Sequence, residues 1–201
     1  MNRHVYSFLY HTVQIFLRIW HPVFRVEGRE NIPTEGNFVI CANHSGLADP
    51  IWLLFALKAS QKCPRIMAKE SVMKLPILGS ILLSAGVFGV RRGENDIAAV
   101  KEGLSTLKSG QNLLLFPEGT RVKPGKTVEA KSGAVMLSMR TGTPVLPIYL
   151  EQKRHIFSPM RCVIGAPYMP QADNPRRPTP EELHSRSREL MEKIYAMGET
   201  T

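Results

Sequence analysis

Short apolar runs alternate with segments of helical spacing, and that alternation limits the possible folds more than any other feature of the chain. The runs are Phe38–Ala42, Arg65–Ala68, Val87–Val90, Leu113–Phe116, Val145–Leu150 and Arg161–Ile164. Between them, Pro50–Lys58 reads as a helix, and residues 72–85 are apolar but interrupted by Pro76 and Gly79. Asn95 stands where it can cap a helix running to Lys108, with Ile97, Val100, Leu104 and Leu107 on one face and Gly110 as its stop. Lys131–Arg140 reads as a helix ended by Gly142, and Thr179 can cap a last one over 181–197. Strands separated by helices predict an α/β fold, a mostly parallel central sheet flanked by helices. No internal repeat is present, and Asp173–Pro180 reads as a Pro-rich connector inside one domain.

Ahead of this pattern, residues 5–24 have an unusual helical wheel. His4, Ser7, His11, Gln14, Arg18, His21 and Arg25 recur every three or four residues and form one narrow polar stripe. Phe8, Leu9, Phe16, Leu17 and Trp20 belong to the wide apolar remainder. Pro22 should end or kink the helix. A helix of ~17 residues is only ~25 Å long, which suits the membrane interface better than a crossing. A helix docked on the protein core is the other reading of this wheel. The expected organisation is an amphipathic interfacial helix over 1–26 and a single domain over 27–201.

With 201 residues, 43% of them hydrophobic, the chain can bury a core as one domain. Lys and Arg number 26 against 17 Asp and Glu, a formal net charge of +9. Such an excess suits an anionic partner, whether nucleic acid, anionic lipid or phosphorylated substrate, though it also serves plain solubility. Cys41, Cys63 and Cys162 form neither a disulfide framework nor a paired metal knuckle, which fits a reducing compartment. Polar residues interrupt every stretch that might act as a cleaved signal, and no run reaches ~18 uninterrupted apolar residues.

Four stretches at strand ends carry candidate chemistry. In Asn43-His44-Ser45-Gly46-Leu47-Ala48-Asp49-Pro50 the carboxylate of Asp49 can fold back across a strand-to-helix turn onto the His44 ring. That would leave the other ring nitrogen to take a proton from a hydroxyl. An ordinary loop histidine with Asp49 as a helix cap is the plainer reading. Gly86–Gly93 runs a strand into Arg91 and Arg92, whose guanidinium forks match phosphate oxygens, or which form only an exposed basic turn. In Phe116-Pro117-Glu118-Gly119-Thr120-Arg121, Gly119 permits a tight turn and Arg121 can meet phosphate. Glu118 can orient Arg121 or bond a glycerol hydroxyl. Val145-Leu146-Pro147-Ile148 carries a proline that suits an edge or site-lining strand more than a central ladder.

Together these stretches resemble the glycerolipid acyltransferase family. NHSGLAD is similar to the family's first block, NHx4D; GVFGVRR resembles the second, FPEGTR matches the third and VLPI resembles the fourth, in the family's order across about residues 35–150. The resemblance implies that His44 is the general base and Asp49 its orienter. It implies that Arg92, Glu118, Gly119 and Arg121 bind a glycerol phosphate. Lys69 matches a common family position, and Arg91 stands where many relatives carry an acidic residue. The implied reaction moves a fatty acyl group from acyl-CoA or acyl-carrier protein to the sn-2 hydroxyl of 1-acyl-sn-glycerol-3-phosphate, giving phosphatidic acid. Another lysophospholipid acceptor stays open. The implied partners are lysophosphatidic acid, the acyl donor (acyl-carrier protein among the candidates) and the membrane surface. No metal, cofactor or nucleic acid is expected, and the expected location is the cytoplasmic face of the cell membrane, peripheral or monotopic. A metal-dependent phosphoesterase with His44, Asp49 and Glu118 as ligands is a competing reading, opposed by the scattered histidines and the lack of an HxH or HExxH cluster. A basic lipid- or nucleic-acid-binding module is another, opposed by the absence of a nucleic-acid motif.

Overall fold

The computed structural model describes residues 21–57, 64–76, 78–84, 86–90, 96–152, 157–174 and 177–199. The strands are β1 (Phe24–Glu27), β2 (Val39–Ala42), β3 (Arg65–Lys69), β4 (Val87–Val90), β5 (Leu113–Leu115), β6 (Val145–Leu150) and β7 (Met160–Ile164). They form one seven-stranded sheet in the order β1-β7-β6-β2-β5-β3-β4. Every pairing is parallel except β6–β7. The helices are α1 (Asp49–Ala56), α2 (Glu70–Met73), α3 (Leu78–Ser84), α4 (Ile97–Lys108), α5 (Gly133–Thr141) and α6 (Pro180–Glu199).

Central strands of such a sheet are covered on both faces, so they are apolar throughout instead of alternating. In β2, Ile40 and Ala42 face a core that holds Trp52, Leu53 and Phe55 of α1. Val39 and Cys41 face the opposite core, with Val135 and Leu137 of α5 and Leu190 and Ile194 of α6. The result is the predicted α/β architecture, helices on both sides of a mostly parallel sheet.

Local signals at the helix ends mostly behave as expected. Thr179 and Glu182 form a capping box: the Thr179 hydroxyl accepts from the Glu182 amide at 3.2 Å, and the Glu182 carboxylate accepts from the Thr179 amide at 2.7 Å. Gly142 ends α5 with φ 66°. The cap of α4 lies one residue later than predicted. Asp96, not Asn95, accepts from the Ala99 amide at 3.1 Å, because a capping side chain reaches the amide three residues on.

Two expectations change. The first concerns the boundary at residue 26: Phe24–Glu27 is strand β1, paired in parallel with β7, so a helix over 1–26 does not reach that far. Residues 1–20, where the polar stripe lies, are outside the described residues. The second concerns Pro147, which sits in β6, an internal strand between β7 and β2. Its carbonyl accepts from the Gly165 amide at 2.9 Å, so its donor-less nitrogen also faces the β7 side, just past Ile164 where that strand ends. The missing N–H therefore falls where the ladder finishes, and the proline costs the sheet little. Among the described residues, no helix is long and apolar enough to cross a membrane.

Candidate active site

From β2 the chain crosses toward β3, and from the adjacent β5 it returns toward β6. Neighbouring strands whose connections leave in opposite directions open a crevice at their carboxyl ends. His44 follows β2 and Glu118 follows β5, so both stand there.

Three contacts lock the His44 loop from the inside. Asp49, the first residue of α1 and fully buried, turns its carboxylate back over the loop. The same Oδ2 accepts from the Ser45 amide at 2.7 Å and the Gly46 amide at 2.8 Å, and lies 2.8 Å from His44 Nδ1. Amide donors favour the ionised carboxylate, and a carboxylate acceptor puts the ring proton on Nδ1. Nε2 then carries the lone pair, and it has no protein partner among the described residues. The ring stacks on Phe116 with centroids 4.1 Å apart and planes at 18°, which shields one face and fixes its tilt. Pro50, in the first turn of α1, helps the helix start beside Asp49.

The turn after β5 grips the backbone of His44 from both sides. The His44 amide donates to Glu118 Oε2 at 2.6 Å, and the Val122 amide donates to the His44 carbonyl at 2.7 Å. Glu118 is only 3% exposed. Its other oxygen, Oε1, accepts from the Tyr195 hydroxyl of α6. Burial pushes the Glu118 carboxyl above its usual range, against the opposing pull of Tyr195 and of the His44 amide. Glu118 thus bonds neither Arg121 nor open solvent; it faces inward and holds His44. Its two oxygens, like Asp49 Oδ2, are engaged by N–H or O–H donors, which is unlike the shared ligand set of a metallo-phosphoesterase.

The remaining predicted residues fall around this centre. Gly119 turns the chain with φ 64°, and a β-carbon there would lie 3.2 Å from Lys131 Cγ. Arg121 is exposed just beyond. Lys69, also exposed, ends β3. Arg91 and Arg92 follow β4 in the chain but lie outside the described residues. A cavity of about 550 Å³ opens at the carboxyl ends of β3, β4 and β5 beside α4 and α5. Its lining joins Phe116, Pro117 and Gly119 to buried Leu115 and Leu137 and to the exposed cations Lys69 and Lys131.

Three contacts here were not read from the sequence. Asn43 bonds Leu150 with both ends of its carboxamide, at 2.8 Å to the carbonyl and 2.7 Å from the amide. Tyr195 lies 77 residues from Glu118. Lys131 donates its amide to the Pro117 carbonyl at 2.7 Å. A buried-looking Asn at a strand end is a usable signal for the first; the other two contacts are purely tertiary.

At the crevice of this α/β sheet a His–Asp pair follows one strand and is clamped by the FPEGTR turn that follows its neighbour. The chain belongs to the acyltransferase family, whose model matches residues 23–151. It is 33% identical over 135 residues to the 1-acyl-sn-glycerol-3-phosphate acyltransferase of Borreliella burgdorferi, covering 66% of this chain and 52% of that one. It is 29% identical to the enzyme of the same name from Bacillus subtilis, covering 94% of this chain and 95% of that one. The chain therefore spans about half the length of the first relative and nearly all of the second. The crystal structure of the 1-acyl-sn-glycerophosphate (LPA) acyltransferase PlsC from Thermotoga maritima superposes with a TM-score of 0.69 at 26% identity, covering 99% of this chain and 80% of that one.

Proposed function

We propose that this chain transfers a fatty acyl group from an acyl thioester to the sn-2 hydroxyl of 1-acyl-sn-glycerol-3-phosphate, with His44 as general base and Asp49 as its orienter. The observation that supports this reading most is the 2.8 Å contact between His44 Nδ1 and the buried Asp49 carboxylate, which leaves Nε2 as proton acceptor. The names of the relatives point to the acceptor.

In the reaction, the sn-2 oxygen attacks the thioester carbonyl carbon as its proton passes to His44 Nε2. The tetrahedral oxyanion collapses, the carbon–sulfur bond breaks and the departing sulfur takes the proton from His44. Arg92 and Arg121 bind the acceptor phosphate, and Lys69 and Arg91 add positive charge around it. Gly119 shapes the turn that presents Arg121. Glu118 serves by holding the His44 amide. Positioning of the two reactants supplies much of the rate. The donor is acyl-CoA or acyl-carrier protein, with no further cofactor, and the enzyme works from the cytoplasmic membrane surface through the segment that precedes β1.

The test uses the full chain purified in detergent, with 1-acyl-sn-glycerol-3-phosphate, each donor in turn and mass detection of phosphatidic acid. His44→Ala should lower turnover by about 10² or more while circular dichroism stays unchanged. A folded His44→Ala protein with wild-type turnover would overturn the assignment.

A further inference from the structure

The last helix reaches the catalytic loop by one bond. Tyr195 of α6 donates its hydroxyl to Glu118 Oε1, and Glu118 Oε2 accepts from the His44 amide at 2.6 Å. Tyr195 lies outside the stretch that matches the family model, residues 23–151. We propose that Tyr195 is a positioning residue for the base: through the Glu118 carboxylate it sets where the backbone of His44, and hence its ring, stands over Phe116. This inference rests on the reading of His44 as general base.

The argument is geometric. A carboxylate as buried as Glu118 needs a donor on each oxygen, or it rotates or takes up a proton. With Tyr195 in place, both oxygens are engaged and the plane of the carboxylate is fixed by two points. Without the hydroxyl, only the His44 amide remains, and a carboxyl that rotates or protonates holds that amide less well. The Val122 amide still fixes the His44 carbonyl, so the loop stays closed but its ring shifts. Small displacements of a catalytic group cost rate more than they cost binding. The Tyr195 ring is half-buried and borders a cavity of about 710 Å³ between α6 and residues 125–130. Packing therefore surrounds the ring only in part.

The titratable groups around Glu118 are His44 after β2, Asp49 at the start of α1 and Tyr195 from α6. Losing the phenol removes a donor from the ionised carboxyl and strengthens its hold on a proton. The acid limb of turnover should then move to higher pH, which a loss of helix packing alone would not cause.

The experiment compares the full-length wild type, Tyr195→Phe, His44→Ala and, as a control, Tyr168→Phe. The Tyr168 hydroxyl is buried without a partner. Turnover of Tyr195→Phe should fall about tenfold with both KM values within about twofold, and its acid limb should rise. In ¹⁵N-histidine-labelled protein the His44 amide proton should move upfield in Tyr195→Phe and stay in place in Tyr168→Phe. Wild-type turnover in Tyr195→Phe, or a fall in turnover with the His44 amide unmoved, overturns the proposal. Should the wild type fail to acylate 1-acyl-sn-glycerol-3-phosphate, the functional reading falls, and the His44 amide alone still decides whether the tether holds.

Discussion

Asn43 extends a sheet by a side chain. β2 pairs with β6 up to Ala42 and Ile148, and the carboxamide of the next residue then bonds the amide and carbonyl of Leu150 as another strand would. Asn43 and Leu150 are both fully buried, so neither backbone group has water as a substitute. Asn43→Ala strands two buried polar groups, and each costs about 1–3 kcal/mol. Urea unfolding should therefore show a loss of about 2–6 kcal/mol, with the His44 loop loosened and activity reduced. A loss under about 0.5 kcal/mol, the size of an ordinary surface change, would mean that the clamp is not needed. At this scale legibility in the sequence falls with distance along the chain. The His44–Asp49 contact spans five residues, and a strand-to-helix turn predicts it. The Asn43 clamp spans 107 and the Glu118–Tyr195 bond 77. No local pattern encodes those, since they exist only once the sheet order has placed the strand ends together.

Among the elements, those with end signals were legible and those set by register were not. The Thr179–Glu182 capping box and the αL glycine after α5 announce themselves locally. β1 does not. Its residues alternate half-buried and exposed along a sheet edge, and Arg25 completes the polar stripe of the preceding wheel, so the helical period runs into it. Pro147 misleads for a related reason, because a proline's tolerance depends on which neighbour its nitrogen faces. The turn after β5 was legible as a motif, and its geometry gives it a testable cost. Gly119 holds φ 64° with Lys131 across it. Gly119→Ala forces an L-residue into the left-handed region at about 1–2 kcal/mol and pushes on the Lys131 stem. We expect that loss of stability in denaturant unfolding. The KM for the acceptor should also rise, because Arg121 follows two residues later. An unchanged KM would separate the turn from acceptor binding.

Part of the molecule's positive charge is grouped at the carboxyl edge of the sheet. The net charge of +9 is too general to name a ligand, and it admitted nucleic acid as readily as lipid. The fold narrows it. Exposed Lys69 and Arg121 end or follow strands at the carboxyl edge of the sheet, Lys131 is tied to the same turn, and the cavity of about 550 Å³ is lined by Lys69 and Lys131. Cations grouped around an apolar cleft raise the local concentration of an anionic amphiphile, and salt screens that attraction with a Debye length of about 10 Å at 0.1 M. Steering of this kind acts on encounter and binding, not on the proton transfer proposed at His44, which lies within one set of contacts. The two should therefore separate under salt. With 1-acyl-sn-glycerol-3-phosphate held in neutral detergent micelles, kcat/KM should fall several-fold between about 50 and 300 mM salt while kcat holds, since exposed charges are screened over that range. Lys69→Ala and Lys131→Ala should each start from a lower kcat/KM and lose less of it to salt. A kcat that falls in parallel would move the effect of charge into the chemical step, and a flat kcat/KM would remove these cations from the path of the substrate.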